Sequence, residues 1–161
     1  MNKQLSIVST LYRSQPYVQE FYRRITASAQ ATGLDYELIL VNDGSPDDSL
    51  NLALELQQTD PRVVVVDLSR NFGHHKAIKA GLRQARGELV FLIDCDLEEA
   101  PELLTQFWDH WQTLQDTDVL YGVQKERKGG FFERVSGKIF YAVLNYLISE
   151  VTYPANPLTA R

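Results

Sequence analysis

Short apolar runs recur along most of the chain and alternate with longer segments of helical periodicity. The apolar runs are nearly continuous, which is typical of strands that are buried on both faces. They cover residues 5–11, 36–41, 63–68 and 88–93, with 118–123 as a predicted fifth strand. The helical segments cover residues 16–32, 49–59, 75–86 and 101–115. This alternation predicts an α/β fold with right-handed crossovers and a mainly parallel sheet that has helices on both faces.

The chain changes character after residue 123. Residues 124–130 are polar and basic, and residues 131–151 have a helical pattern that is apolar on nearly all sides from 139 to 148. We therefore predict a core over residues 1–123 and a basic, amphipathic segment of the same domain over residues 124–161. The last ten residues show no periodicity, and we expect the native protein to continue beyond them.

Length, charge and cysteine content narrow the class of protein. At 161 residues the chain has room for one domain with a full core. The net charge is −5 and the basic residues are dispersed, so nucleic acid is not the expected partner. The single Cys95 excludes an internal disulfide, and the first residues lack a signal-peptide core, so we expect a cytoplasmic protein. No apolar stretch reaches the ~18–20 residues needed to cross a bilayer.

Two carboxylates, Asp94 and Asp96, follow the fourth apolar run. The carboxyl end of a strand in an open α/β sheet is where ligands bind. Carboxylates two positions apart in an extended segment point the same way, so they can share one hard divalent cation and leave room for phosphate oxygens. This predicts a site for a metal-bound diphosphate. The alternative is a surface Asp-x-Asp pair that caps the helix beginning near Pro101.

Two other predicted strand ends carry residues suited to the same ligand. Asp43 could accept a hydrogen bond from a base or ribose, although its surroundings equally suit a turn with a helix cap. After the third strand, Arg70 and Lys76 could neutralise phosphate, and Gly73 could let the main chain approach it. Because parallel topology brings strand ends together, we interpret these residues as parts of one site.

The motifs that follow the predicted strands, taken in their order along the chain, resemble those of the family 2 inverting glycosyltransferases of the GT-A fold. Within that family the chain is similar to the dolichyl- and polyprenyl-phosphate sugar transferases, including the dolichol-phosphate mannose synthase and bactoprenol glucosyltransferase types. The matching stretches are Ile7-Val8-Ser9-Thr10-Leu11-Tyr12, Val41-Asn42-Asp43-Gly44-Ser45, Arg70-Asn71-Phe72-Gly73, Asp94-Cys95-Asp96-Leu97 and Pro101-Glu102. The resemblance covers roughly residues 5–150.

The resemblance implies a role for each matching residue. Leu11 and Tyr12 would flank the nucleobase and Asp43 would bind it. The implied catalytic pair, Asp94 and Asp96, would hold the diphosphate through Mg²⁺ or Mn²⁺, with Glu98 as a further metal ligand. The full nucleotide set is Leu11, Tyr12, Asp43, Asn71, Gly73, Lys76, Asp94 and Cys95.

Three positions depart from the pattern of that family. Thr10 and Arg13 replace the usual Pro and Asn of the first loop. Gln124 stands where a phosphate-binding Arg often follows the Tyr-Gly pair.

The implied reaction moves a sugar from a nucleoside-diphosphate sugar, with UDP expected, to a polyprenyl phosphate or related cell-envelope acceptor with inversion. A phosphomonoester with a second pKa of about 6 is already ionised, so we nominate no general base. Basic residues before an apolar helix face suit an anionic bilayer surface, so we expect a peripheral protein at the inner face of the membrane. A homo-oligomer is left open. The implied acceptor contacts are Arg127, Arg134, Ser136 and Lys138.

Other classes of protein fit less well or stay open. A Rossmann dehydrogenase and a sugar-nucleotide pyrophosphorylase would each need a glycine-rich loop after the first strand, and residues 9–14 contain no glycine. A nucleotide-binding domain without turnover and a transferase with a saccharide acceptor stay open. His74 and His75 are predicted to be exposed or to contact a ligand, because adjacent loop residues seldom converge on one metal ion.

Overall fold

Strands and helices alternate strictly along the main part of the chain. A computed structural model of the protein describes residues 3–114 and 117–122. The strands are β1 (Leu5–Leu11), β2 (Tyr36–Asn42), β3 (Val63–Asp67) and β4 (Leu89–Leu92). The helices are α1 (Val18–Ala31), α2 (Ser49–Thr59), α3 (His74–Gln84) and α4 (Leu103–Trp111). The four strands and four helices predicted up to residue 115 are therefore confirmed, close to their predicted bounds.

The four strands form one parallel sheet in the order β3-β2-β1-β4. β1 pairs with β2 along its whole length, from Leu5 opposite Tyr36 to Leu11 opposite Asn42. Because all four strands run in one direction, their carboxyl ends lie at one edge of the sheet. The prediction of a mainly parallel sheet is confirmed.

Helices cover both faces of this sheet, as predicted. On one face, Phe21 and Ile25 of α1 are fully buried against side chains of β1 and β2, and α2 and α4 add to the same core. On the other face, α3 packs closely because Gly81 has no side chain. A Cβ at Gly81 would lie 2.5 Å from Cγ1 of Val8 and 2.9 Å from Cγ2 of Val41.

The predicted fifth strand is wrong for the residues that the structure describes. Residues 117–122 belong to a separate unit of the chain, and they form no strand. Val119 and Tyr121 are 73% and 57% exposed, so the apolar positions that suggested a buried strand are not covered. Periodicity alone does not supply the partner strand that a ladder needs.

A buried carboxylate fastens the amino-terminal end of the sheet. Glu37 of β2 is 1% exposed and accepts hydrogen bonds from the Ser6 hydroxyl at 2.7 Å and the Arg86 main-chain N–H at 2.8 Å. The Arg86 guanidinium also donates to it, at 3.0 Å from Nε. Burial opposes ionisation of Glu37, but these hydrogen bonds outweigh burial, and the pKa of the carboxyl is lowered.

Candidate active site

Asp43 ties the loop after β2 to the loop after β3. Its side chain is buried, with the residue 2% exposed. Oδ1 accepts a hydrogen bond from the main-chain N–H of Phe72 at 2.7 Å, and Oδ2 accepts one from that of Gly73 at 3.0 Å. The N–H of Asp43 donates to the carbonyl of Leu11 at 3.0 Å, at the end of β1. Hydrogen bonds to a carboxylate are stronger than neutral ones, so Asp43 fixes the turn at residues 70–73.

Gly44 completes the contact between these two loops. Its φ of +59° is unfavourable for residues with a side chain. A Cβ at this position would also lie 2.4 Å from the main chain of Arg70 and Asn71. Both the conformation and the space therefore require glycine here.

The side-chain hydrogen bond at the start of α2 comes from Asp47 rather than Asp43. Oδ1 of Asp47 accepts a hydrogen bond from the main-chain N–H of Ser49 at 3.1 Å. Burial opposes ionisation of Asp47, but hydrogen bonds from Ser45, Ser49 and Gln15 lower the pKa of its carboxyl to about 2. The alternative interpretation of Asp43 as a helix cap is therefore not supported by its contacts.

His74, the first residue of α3, lies between the ends of β1 and β4. Its Nδ1 lies 3.2 Å from Oγ1 of Thr10, and its Nε2 lies 3.7 Å from Oδ1 of Asp94. The first turn of α3 contains no acidic residue, and Lys76 in that turn is exposed. The positive end of a helix dipole favours anions, so this helix start suits a negatively charged ligand.

The Asp94-Cys95-Asp96 segment alternates between solvent and core. Cys95 is 2% exposed and belongs to the main core. Burial, with the added effect of the Asp96 and Asp94 charges, raises the pKa of its thiol to about 12. Asp94 is half-buried and Asp96 is exposed. Both carboxylates therefore lie outside the core, whereas Cys95 is not exposed to a nucleotide.

The turn after Asp96 is strained. The main-chain N–H of Glu98 donates to Oδ1 of Asp96 at 3.0 Å, and Leu97 between them has a φ of +63°. A leucine in this region is uncommon, and such conformations concentrate at functional sites. Asp96 thus closes a local turn instead of capping α4, which has Glu102 as its N-cap and no side-chain cap hydrogen bond.

The three predicted metal ligands are not assembled as one cluster. Across residues 3–114 and 117–122, no group of three or more His, Cys, Asp or Glu side chains is arranged to hold a metal ion. Glu98 is exposed beside Asp96 but donates only its main-chain N–H to that residue. Asp94 and Asp96 are hard oxygen donors separated by one residue in the sequence, so they suit a cation that takes its other ligands from a phosphate group.

The other predicted nucleotide residues differ in their exposure. Leu11 is fully buried in the core, so its side chain is not available to flank a base, whereas Tyr12 is 45% exposed. Asn71 is exposed at the turn that Asp43 holds. The guanidinium of Arg70 lies 4.2 Å from the centre of the Phe72 ring, which positions it over an aromatic face.

Sequence reasoning missed the roles of Phe72 and His74. The sequence motif assigns no contact to the main chain of Phe72, and it presents His74 only as one of two adjacent histidines. The available signal was the position of His74 immediately before the helix predicted from residue 75. The predicted acceptor residues, Arg127, Arg134, Ser136 and Lys138, lie outside the described residues.

Comparison with known families decides the class of this chain. The profile of glycosyl transferase family 2 matches residues 6–157. The chain belongs to glycosyl transferase family 2. The resemblance seen in the sequence motifs is confirmed at the level of the family.

Relatives of this family 2 chain come from three different bacteria. A Mycobacterium tuberculosis protein, named provisionally as a glycosyltransferase, is 48% identical over 157 residues, which are 98% of this chain and 45% of that protein. The uncharacterized glycosyltransferase YkcC of Bacillus subtilis is 39% identical over 143 residues, 88% of this chain and 44% of its own. The uncharacterized glycosyltransferase sll0501 of Synechocystis is 32% identical over 157 residues, 97% of this chain and 48% of its own. The chain thus spans about half the length of these relatives.

Solved structures confirm the GT-A fold of this family 2 chain. The crystal structure of Staphylococcus aureus TarS 1-349 matches with a TM-score of 0.59 and 21% identity, over 78% of this chain and 40% of that one. The mannosyltransferase PcManGT of Pyrobaculum calidifontis, solved with GDP-Man and Mn²⁺, matches with a TM-score of 0.53 and 21% identity, over 60% of this chain and 28% of its own. At this identity the likeness concerns the fold alone.

Proposed function

We propose that this chain is the donor-binding part of a glycosyltransferase that uses a nucleoside-diphosphate sugar, with UDP as the expected nucleotide. The observation that carries the proposal is the convergence of three strand ends, joined by the contacts of Asp43 with Gly73 and of His74 with Asp94. The complex of PcManGT with GDP-Man and Mn²⁺ supports a nucleotide sugar and a divalent cation as ligands of this fold. Family membership supports transferase chemistry.

Asp94 and Asp96 would hold Mg²⁺ or Mn²⁺, with Glu98 as a further ligand. Mg²⁺ commonly takes one or two protein carboxylates and completes its shell with substrate phosphates and water. The carboxylates of Asp94 and Asp96, one residue apart, would therefore suffice for such a cation without a preformed cluster of three protein ligands. When bound, the cation would stabilise the negative charge that develops on the departing diphosphate.

Residues around this pair would bind and orient the donor. The exposed ring of Tyr12 offers a stacking surface for the base, and the carboxylate of Asp43 keeps lone pairs for a base or ribose donor beside its two main-chain contacts. Lys76 and the first turn of α3 would neutralise the diphosphate. Asn71 and Gly73 would contact the nucleotide as parts of the turn that Asp43 holds.

The acceptor side of the proposal is a polyprenyl phosphate or related cell-envelope molecule, attacked at the sugar with inversion. An ionised phosphomonoester is itself the nucleophile and needs no strong base. We assign acceptor binding to the segment 124–161, through Arg127, Arg134, Ser136 and Lys138, and donor binding to residues 1–123. A saccharide acceptor is the alternative.

The donor proposal is tested by titration calorimetry with UDP and GDP, in Mn²⁺ and in EDTA. We expect binding to require Mn²⁺ and to weaken by more than about tenfold in Asp96→Asn. The substitution removes a charged contact with the cation, which contributes about 1.5–3 kcal/mol, and about 1.4 kcal/mol corresponds to a tenfold change in affinity. Asp109→Asn is the matched control, since Asp109 is an exposed aspartate of α4. Metal-independent binding, or unchanged affinity in Asp96→Asn, would contradict the proposal. Donor turnover in a longer protein, compared with donor binding here, separates a transferase from a domain that only binds nucleotide.

The membrane proposal has a separate test. Among the described residues, no helix combines the length and apolar character that crossing a bilayer requires. We propose peripheral binding at the inner, cytoplasmic face through the basic residues of 124–161. Co-sedimentation with liposomes should rise with anionic lipid, fall with salt and drop in Arg134→Glu with Lys138→Glu. Equal sedimentation with neutral and anionic liposomes, indifferent to salt, would exclude this role.

A further inference from the structure

The first residue of α3 connects two strand ends through a single imidazole ring. Thr10 Oγ1 lies 3.2 Å from Nδ1 of His74, and Asp94 Oδ1 lies 3.7 Å from Nε2 on the opposite side of the ring. We propose that His74 is a positioning residue that orients the Asp94 carboxylate for the metal-bound diphosphate, with Thr10 fixing the ring. This inference rests on the proposed function, because Asp94 matters only if a diphosphate binds there.

The two contacts together select one tautomer of His74. A carboxylate oxygen can only accept a hydrogen bond, so the ring nitrogen that faces Asp94 is favourable when it carries the proton. Nδ1 is then unprotonated and accepts from the Thr10 hydroxyl, which can turn to donate. At 3.7 Å the interaction of Nε2–H with Asp94 is electrostatic, since a full N–H···O hydrogen bond is shorter than about 3.2 Å.

The main chain that precedes His74 fixes the position of its ring. Gly73 precedes His74 as the N-cap of α3, and its N–H is bound by Asp43. The start of the helix is therefore anchored to the end of β2, while the ring reaches the ends of β1 and β4. A shift of the ring away from Asp94 would have to move the helix start or break the Thr10 contact.

His110 provides a matched control. It is an exposed histidine of α4, so it lies outside the helix turn that is proposed to bind the diphosphate. Within residues 3–114 and 117–122, no side-chain hydrogen bond or ion pair involves its ring. Replacing His110 by Asn thus makes the same change of side chain without removing the contacts with Thr10 or Asp94.

The first experiment replaces His74 by the two amides and measures affinity for UDP with Mn²⁺. The amide nitrogen of Gln reaches the position of Nε2, whereas that of Asn reaches only Nδ1. We expect His74→Asn to weaken binding about fivefold, the scale of one partly exposed charge contact, and His74→Gln to restore most of it. His110→Asn should bind as the wild type does. Equal losses in the Asn and Gln variants would overturn the proposal.

A double-mutant cycle with Asp94→Asn separates positioning from direct ligand contact. If His74 acts through Asp94, the effect of His74→Asn should vanish in the Asp94→Asn background. An undiminished effect in that background would mean that His74 touches the nucleotide itself, and the positioning role would be wrong.

A final measurement needs no nucleotide. Imidazole ¹⁵N shifts of the neutral ring should show the Nε2–H tautomer of His74 in the wild type and a mixture in Thr10→Val. A wild-type Nδ1–H tautomer would overturn the positioning contact even if UDP binds normally. Conversely, an Nε2–H tautomer in a protein that binds no UDP would overturn the proposed function while the tautomer assignment stands, so the two failures are distinguishable.

Discussion

Replacing Asp43 by Asn tests the contact that joins the second and third strand ends. The substitution keeps the shape of the side chain but removes its charge and one of its two acceptor oxygens. The amide nitrogen would then face a main-chain N–H, either of Phe72 or of Gly73, so one buried donor loses its partner. In the wild type both N–H groups are bound, at 2.7 and 3.0 Å.

The size of the effect follows from these two bonds. A hydrogen bond to a charged group contributes about 1.5–3 kcal/mol, and a buried N–H without a partner costs about 1–3 kcal/mol. Because the remaining amide oxygen preserves one weaker bond, we expect Asp43→Asn to lower the free energy of unfolding by about 2–4 kcal/mol. Loss of an ordinary helix cap would cost only about 1 kcal/mol.

Urea unfolding at pH 7 measures this loss, and hydrogen exchange locates it. The amides of Phe72 and Gly73 should lose protection more than the strand amides do. Asp67→Asn is the control, because Asp67 is exposed and accepts one hydrogen bond from Asn42 at 2.8 Å that an amide oxygen can replace. A loss below about 0.5 kcal/mol, the range of ordinary surface changes, with unchanged exchange at both amides would refute the reasoning.

Three further predictions concern groups away from this turn. The lowered pKa of Glu37, which is paired with Arg86, gives stability that is fully present above its unfolded-state value of about 4.3 and lost as pH falls through the lower folded-state pKa. Urea unfolding of Glu37→Gln should therefore depend less on pH in that acidic range. Gly81→Ala should lower the melting temperature, because its Cβ would lie 2.5 Å from Val8 Cγ1 and overpacking typically costs about 1–3 kcal/mol; a more stable variant would contradict this. Cys95 should resist iodoacetamide at pH 8 until urea unfolds the protein, since its thiol is buried with a pKa of about 12.

The sheet could be predicted because its signal is local. Each strand is a short apolar run between turn residues, and the alternation of strand and helix leaves few topologies. The exposure of Asp94 and Asp96 agrees with the prediction, but its basis differs, because β4 ends at Leu92 and Cys95 and Asp96 lie in a turn instead of an extended segment. The prediction of a fifth strand was wrong because an apolar run does not show that a partner strand lies beside it.

The contacts of the site depend on residues that are distant in sequence. Asp43 and Phe72 are 29 positions apart, and their hydrogen bond requires both the register of two strands and the course of two loops. No local pattern encodes that distance. Leu11 shows a second reason why sequence is not sufficient. An apolar residue at a strand end has the same sequence pattern whether it flanks a base or fills the core. The structure, in which it is fully buried, removes that ambiguity.

The contacts of Asp43 and Gly44 with the 70–73 turn lower the entropy cost that ligand binding must offset. When a loop becomes ordered only on binding, its loss of conformational entropy weakens the affinity. A loop that is already ordered in the folded protein has no such effect. Here the turn is already preorganised by two hydrogen bonds and a close main-chain contact. A diphosphate bound beside it would therefore meet a rigid template, and small changes of ligand length or angle would be penalised rather than accommodated.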